Sequence, residues 1–180
     1  MINEQKVITG KVRFSYANVW EAKSINDGDE KYSVSIIILK SDKKTLELID
    51  KAIKAAERIG IEKYGSKFVG GSGFKRPLRD GDIDRPNDEV YKGSYFINAN
   101  SKDRPQIVDR SVQPILDRND FYSGCYGRAS LIFYPFNNAG NRGLACSLGN
   151  LQKLEDGESL SGHSRAEDDF EAYGEDDFLS

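Results

Sequence analysis

Apolar positions along the chain recur at two different spacings, and each spacing predicts a different element. Over residues 9–20 (TGKVRFSYANVW) they alternate, placing Val12, Phe14 and Tyr16 on one side of a strand and Lys11, Arg13 and Ser15 on the other. After a turn-rich segment around residues 26–30, the run KYSVSIIIL (31–39) puts Tyr32, Val34, Ile36 and Ile38 on one face, with β-branched residues throughout. These two runs are expected to pair as a hairpin. The period then changes. Ser41 and Asp42 suit a helix start, and Leu46, Ile49, Ile53, Ala56 and Ile59 recur at three- and four-residue steps. An amphipathic helix is predicted over about 43–58, with an extension to Tyr64 past a weak point at Gly60.

Residues 65–88 have no period: a glycine-rich stretch to Gly73 precedes KRPLRDGDIDRPND, a long loop of the functional or mobile kind. Strand patterns resume at 91–99, where either face of Tyr95 and Phe96 suits the interior, and a weak extended piece surrounds 105–108. The strongest strand is GCYGRASLIFYPF (124–136), with Ala129, Leu131 and Phe133 opposite Arg128, Ser130, Ile132 and Tyr134. NNAGN then turns the chain, and GLACSLGNLQKL returns as the last strand. Five main strands, one helix, no βαβ rhythm and strand glycines (Gly127, Gly143, Gly149) predict an all-β fold with one helix. The architecture expected is a five-stranded Greek-key barrel with long loop insertions, an OB-fold, over residues 1–154. After Leu154 apolar content collapses, and a disordered acidic tail is expected over 155–180.

The charge distribution sharpens this division. Residues 155–180 hold ten acids and one base, Arg165, for a charge of −9, whereas the other 154 residues carry 25 bases and 19 acids, for +6. A basic body with an acidic tail points to a polyanion-binding domain whose tail is itself a competing polyanion. No apolar run exceeds Ile36 to Leu39, so neither a membrane span nor a membrane partner is expected. The polar N-terminus is no signal peptide, and two cysteines fit a reducing compartment, so the cytoplasm is the expected location.

Missing residues narrow the chemistry. The one histidine, His163, falls in the tail, so a catalytic triad lacks its base; Cys125 and Cys146, 21 apart without a nearby histidine, do not make a zinc site. The chain is expected to be no enzyme and to need no cofactor or metal. Asp80, Asp82 and Asp84 repeat like the opening of a calcium loop, but Arg85 stands at the turn-glycine position and Tyr91 at the bidentate-glutamate position. A metal-dependent nuclease using these three carboxylates is the alternative, alongside a non-enzymatic adaptor or virion protein.

The positive case rests on rings beside cations. Nineteen Phe, Tyr and Trp residues make 11% of the chain, and many lie within a few residues of a base. Single-stranded nucleic acid needs cations along its phosphates and exposed rings on which bases stack. Strand parity puts Lys11, Arg13, Tyr126, Arg128 and Tyr134 on a surface, and the loop residues Phe74, Lys75, Arg76 and Arg79 are expected to close over the strand as a flexible phosphate clamp.

Three blocks then carry a family resemblance: PLRDGD (77–82), DFYSGCYGRASLIFYPF (120–136) and NRGLACSLGNLQKLEDGE (141–158). With the acidic ending DDFEAYGEDDFLS, the chain resembles phage-encoded single-stranded-DNA-binding proteins (SSBs), a family formerly catalogued as a domain of unknown function. The resemblance implies an OB-fold that coats and protects single-stranded DNA, without sequence preference, during phage replication, recombination and repair in the bacterial host's cytoplasm. It also implies a tail that recruits replication or recombination proteins and competes with DNA, here through Asp168, Asp169, Phe170, Asp176, Asp177 and Phe178. In this chain Leu179 and Ser180 follow the last phenylalanine. RNA remains open as a second ligand, because nothing in the sequence senses the 2′-hydroxyl. The oligomeric state, a homodimer included, is not legible.

Overall fold

The computed structural model describes residues 2–24, 28–161 and 169–173. A short helix α1 (Ile2–Gln5) leads into β1 (Lys6–Ile8), followed by β2 (Val12–Ser24), β3 (Glu30–Leu39) and the helix α2 (Lys43–Tyr64). The loop then contains β4 (Leu78–Asp80), α3 (Gly81–Asp84) and a 3₁₀ turn at Glu89–Tyr91 before β5 (Ser94–Ser101). A two-residue strand β6 (Ile107–Val108) precedes the long hairpin of β7 (Tyr126–Asn138) and β8 (Asn141–Glu155).

Strand pairings run β7–β2–β3–β5–β8, and β8 pairs back to β7, so five strands form a closed cycle. Within this cycle all pairs are antiparallel except β5–β8, which meet in one parallel bridge, Asn100–Ser147. This order and the one parallel seam give the expected Greek-key OB topology. β1 extends the sheet beyond β7, β4 pairs with β5, and β6 with β8.

The alternation read from sequence fills the interior: Val12, Phe14, Val34, Ile36, Ile38, Ala129, Leu131 and Phe133 are all buried. Asp42 caps α2 by accepting the Thr45 N–H at 3.2 Å, and the helix buries Ile49, Ala52 and Ala56 against the barrel. It runs through Gly60, itself buried, to Tyr64. A second, smaller cluster lies outside the barrel, where Ile37, Tyr91 and Phe96 pack on the outward face of β3 and β5.

Three expectations change. Tyr16 does not share the inner face with Val12 and Phe14: its backbone sits at φ 47°, the β2–β3 register shifts between Ser15 and Asn18, and the ring points outward, 55% exposed. The strand expected over 91–99 starts at Ser94, because Tyr91 belongs to the 3₁₀ turn that folds back over Phe96. Finally, the chain does not leave the body after Leu154. Leu160 donates its N–H to the Ser123 carbonyl at 2.9 Å, and Arg13 donates to the Glu158 carbonyl at 3.0 Å. Two glycines permit this approach: Gly157 and Gly124 lie against one another, and a Cβ on Gly157 would sit 2.1 Å from the Gly124 carbonyl oxygen.

Candidate nucleic-acid interface

Register places the outward side chains of the sheet in rows. The first row crosses five strands: Tyr126 on β7, Arg13 on β2, Ile37 on β3, Phe96 on β5 and Arg79 on β4. A second row is Ser15, Ser35 and Asn98, and a third is Asn18, Ser33 and Asn100. The face is therefore cationic and aromatic at one side; at the other, Ser15 and Ser35 are buried, and Asn18, Ser33, Asn98 and Asn100 supply its accessible polar side chains.

Two cations lie near Tyr126, with the Lys11 ammonium 5.5 Å and the Arg13 guanidinium 5.3 Å from its ring centre. Arg13 also donates from Nε to the Gly124 carbonyl at 3.1 Å, which fixes its plane. The base of the tail borders this corner: Lys11 Nζ meets Glu155 at 2.7 Å, and the Tyr122 hydroxyl donates to Asp156 at 2.9 Å.

The middle of the face carries a constellation that alternation alone does not reveal. The Arg85 guanidinium lies 5.1, 5.0 and 5.8 Å from the centres of the Tyr16, Tyr91 and Phe96 rings, and donates to the Tyr16 hydroxyl at 3.1 Å. That hydrogen bond, first among its causes, raises the Arg85 pKa, so the charge is permanent. Arg79 sits 5.2 Å over Phe96. A planar cation resting on rings stays weakly solvated and offers its remaining donors to an anion such as phosphate. The signal missed in the sequence is Tyr16, whose parity predicts burial; only the register shift turns it outward.

The predicted site residues fall into two groups. Lys11, Arg13, Tyr126 and Arg79 share the outer face, and Arg128 lies beside it with Nε donating to the Thr9 carbonyl at 2.8 Å. Tyr134 lies eight residues further along β7, about 26 Å at ~3.3 Å per residue. It pairs with Ala145 near the far hairpin, where the Lys75 backbone bridges Gly143. Phe74, Lys75 and Arg76 are at this second place. The loop there is tied down: Arg142 donates to the carbonyls of Phe68, Gly70 and Ser72, and Phe74 packs edge-on against Phe68. Arg76 faces Glu57 at 3.8 Å. Of the tail residues, Asp169 and Phe170 are exposed, whereas Asp168, Asp176, Asp177 and Phe178 lie outside the described residues.

The three aspartates of RDGDID have structural partners. Lys40 Nζ contacts Asp80 at 2.9 Å and Asp82 at 2.8 Å, Arg79 contacts Asp84 at 3.1 Å, and the Gly93 N–H donates to Asp82 at 3.0 Å. They fasten the loop 80–93 that carries Arg85 and Tyr91. The Lys40 hydrogen bond, and then the Gly93 N–H, hold the Asp82 carboxyl below the usual carboxylate range. A depressed folded pKa means that this contribution is complete above the unfolded value near ~3.9 and is lost only as pH falls through the folded one. A carboxyl-carbon NMR titration is therefore expected to find Asp82 below that value in the native protein and returned towards it in Lys40→Ala. An unshifted Asp82 in the native protein would contradict the clasp.

The family described as "Enterobacter phage Enc34, ssDNA-binding protein" matches residues 5–179. The chain is 32% identical over 166 residues to the putative protein p50 of Acyrthosiphon pisum secondary endosymbiont phage 1, covering 87% of each. Among solved structures, it superposes on the single-stranded-DNA-binding protein of bacteriophage Enc34 in complex with ssDNA with a TM-score of 0.78 at 21% identity, covering 87% of this chain and 90% of that one. The single-stranded-DNA-binding protein gp2.5 of bacteriophage T7 gives a TM-score of 0.64 at 12% identity, covering 89% and 97%.

Proposed function

This chain belongs to the Enterobacter phage Enc34 ssDNA-binding protein family, and from that premise we propose that it coats single-stranded DNA on the outer face of β2, β3 and β5 during phage replication, recombination and repair. The observation that carries the assignment of this face is the first row. It aligns Tyr126, Arg13 and Arg79 across the sheet and leads past Tyr16 and Arg85 to the polar rows. Arg13, Lys11, Arg79 and Arg85 hold phosphates, Tyr126 and Tyr16 stack bases, and the accessible side chains of Asn18, Ser33, Asn98 and Asn100 tolerate any base edge. Nothing in the arrangement demands catalysis. The protein acts as a binder in the host cytoplasm, without cofactor.

The tail acts on the same face. Glu155 and the Glu158 carbonyl already engage Lys11 and Arg13, so the acidic residues that follow are tethered at the mouth of a cationic site. An intramolecular polyanion there competes at high effective concentration. Once DNA displaces it, the freed tail presents Asp169, Phe170 and the residues beyond to replication or recombination proteins.

Fluorescence anisotropy with a labelled oligothymidine of about 30 bases, and with the matching duplex, tests this function. Tight single-strand binding is expected, with log affinity falling linearly in log salt at a slope of about −0.7 per phosphate neutralised. The duplex is expected to bind more weakly, its bases being already stacked. Neutralising Asp168, Asp169, Asp176 and Asp177 to asparagine is expected to raise affinity. Duplex binding as tight as single-strand binding would overturn the stacking role.

A further inference from the structure

Resting on the reading that the chain binds single-stranded DNA, we propose that the pocket between Trp20, Arg104, Ile107, Ile115 and Leu116 receives one nucleobase of the bound strand, turned off the sheet. The pocket is about 240 Å³, below the ~300–1,000 Å³ of sites for drug-sized ligands, which suits a single flat ring system.

Its position continues the path described above. Asn18 and Asn100 belong to the last polar row; Trp20 follows two residues after Asn18, and Arg104 four after Asn100. A strand crossing the rows arrives at this end of the barrel. The pocket is also built for a base rather than for an aliphatic ligand. The indole N–H donates to the Phe121 carbonyl at 2.9 Å and so fixes the ring, and the Arg104 guanidinium lies 5.7 Å from its centre. A guanidinium–indole stack offers a planar cationic surface, on which a base can lie or which it can replace. The exposed Gln106 at the rim supplies both a donor and an acceptor for a base edge.

Leu116 also lines the pocket, 87% exposed, an apolar side chain with its surface left to solvent. The neighbouring surface argues against an acidic peptide in this place. Three carboxylates, Asp109, Asp117 and Asp120, line the adjoining depression against one cation, Lys153, and it shares Pro114, Ile115 and Leu116 with the pocket. Carboxylates there repel an acidic tail, whereas a neutral base enters with its phosphates kept on the Arg104 side.

Trp20 is the only tryptophan, so its emission reports on this pocket in the full-length protein. Labelled oligothymidine and an abasic oligomer of equal length are titrated while anisotropy and Trp20 emission are followed together. The expected result is that oligothymidine changes Trp20 emission in step with binding, and the abasic strand binds more weakly without the change. Arg104→Ala and Leu116→Asp, both surface substitutions, are expected to lower oligothymidine affinity about fivefold or more and to diminish the emission change, while binding through the sheet persists. Tight binding with unaltered Trp20 emission, or an equal emission change with the abasic strand, overturns the pocket and leaves the function standing. No binding of oligothymidine at all overturns both.

Discussion

Tyr16→Ala is expected to weaken single-strand binding by ~1–3 kcal/mol, roughly five- to 150-fold. The ring is exposed on the outer face, so its loss removes a stacking platform without opening the core. Its backbone at φ 47° is a conformation non-glycine residues rarely adopt, and strain of this kind persists where the surrounding structure over-determines it. Arg85 is what holds the ring, by hydrogen bond and by stacking. Arg85→Ala is therefore expected to have a comparable effect, and the double substitution to cost less than the sum of the two. Anisotropy titrations of the three variants, with thermal unfolding as a check on the fold, measure this. Additive losses would mean that the pair does not act as a unit, and an unchanged affinity for Tyr16→Ala would move the site elsewhere.

Gly127→Ala is expected to destabilise the barrel by about 3 kcal/mol or more. A Cβ there would stand 1.9 Å from the Gln152 carbonyl oxygen and 3.0 Å from its carbon, atoms of the β8 backbone that cannot swing away. Gly127 pairs with both Val12 on β2 and Lys153 on β8, so any shift strains two seams of the cycle at once. At ~2–4 °C per kcal/mol for a protein of this length, the melting temperature should fall by roughly 6–12 °C. Gly149→Ala is the matched control. Its Cβ would come closest, at 2.4 Å, to the Ser130 hydroxyl, a side-chain atom that can rotate, and it should cost less. Equal melting temperatures for the two variants would contradict the steric account.

The barrel strands and α2 were legible because the residues facing the main core recur with a clean period. Alternation of Val12 with Phe14, of Val34 with Ile36 and Ile38, and of Leu131 with Phe133 survives in the burial. The helix passes Gly60 because packing outweighs the ~1 kcal/mol propensity of one glycine. Illegible features depend on contacts between distant segments. Tyr16 turns outward through a register shift that no local pattern encodes. Phe96 and Ile37 are buried on the outer face only because the loop 80–93 returns with Tyr91, whose hydroxyl donates to Ser35 at 2.9 Å. The glycine-rich loop looked free, yet Arg142, some seventy residues away, fastens three of its carbonyls. Of the candidate site, the outward placement of Arg13 and Tyr126 follows from strand parity. The placement of Arg85 does not, because the rings it meets come from three other segments.

Photo-cross-linking of the full-length protein to an oligothymidine carrying iodouracil, with the modified residues mapped by mass spectrometry, tests the placement of DNA most directly. Cross-links at Tyr16 and Tyr126, suppressed by excess unlabelled single strand, are the predicted result. Cross-links confined to Tyr134 and Phe74 near the far hairpin would place the strand there and contradict the account.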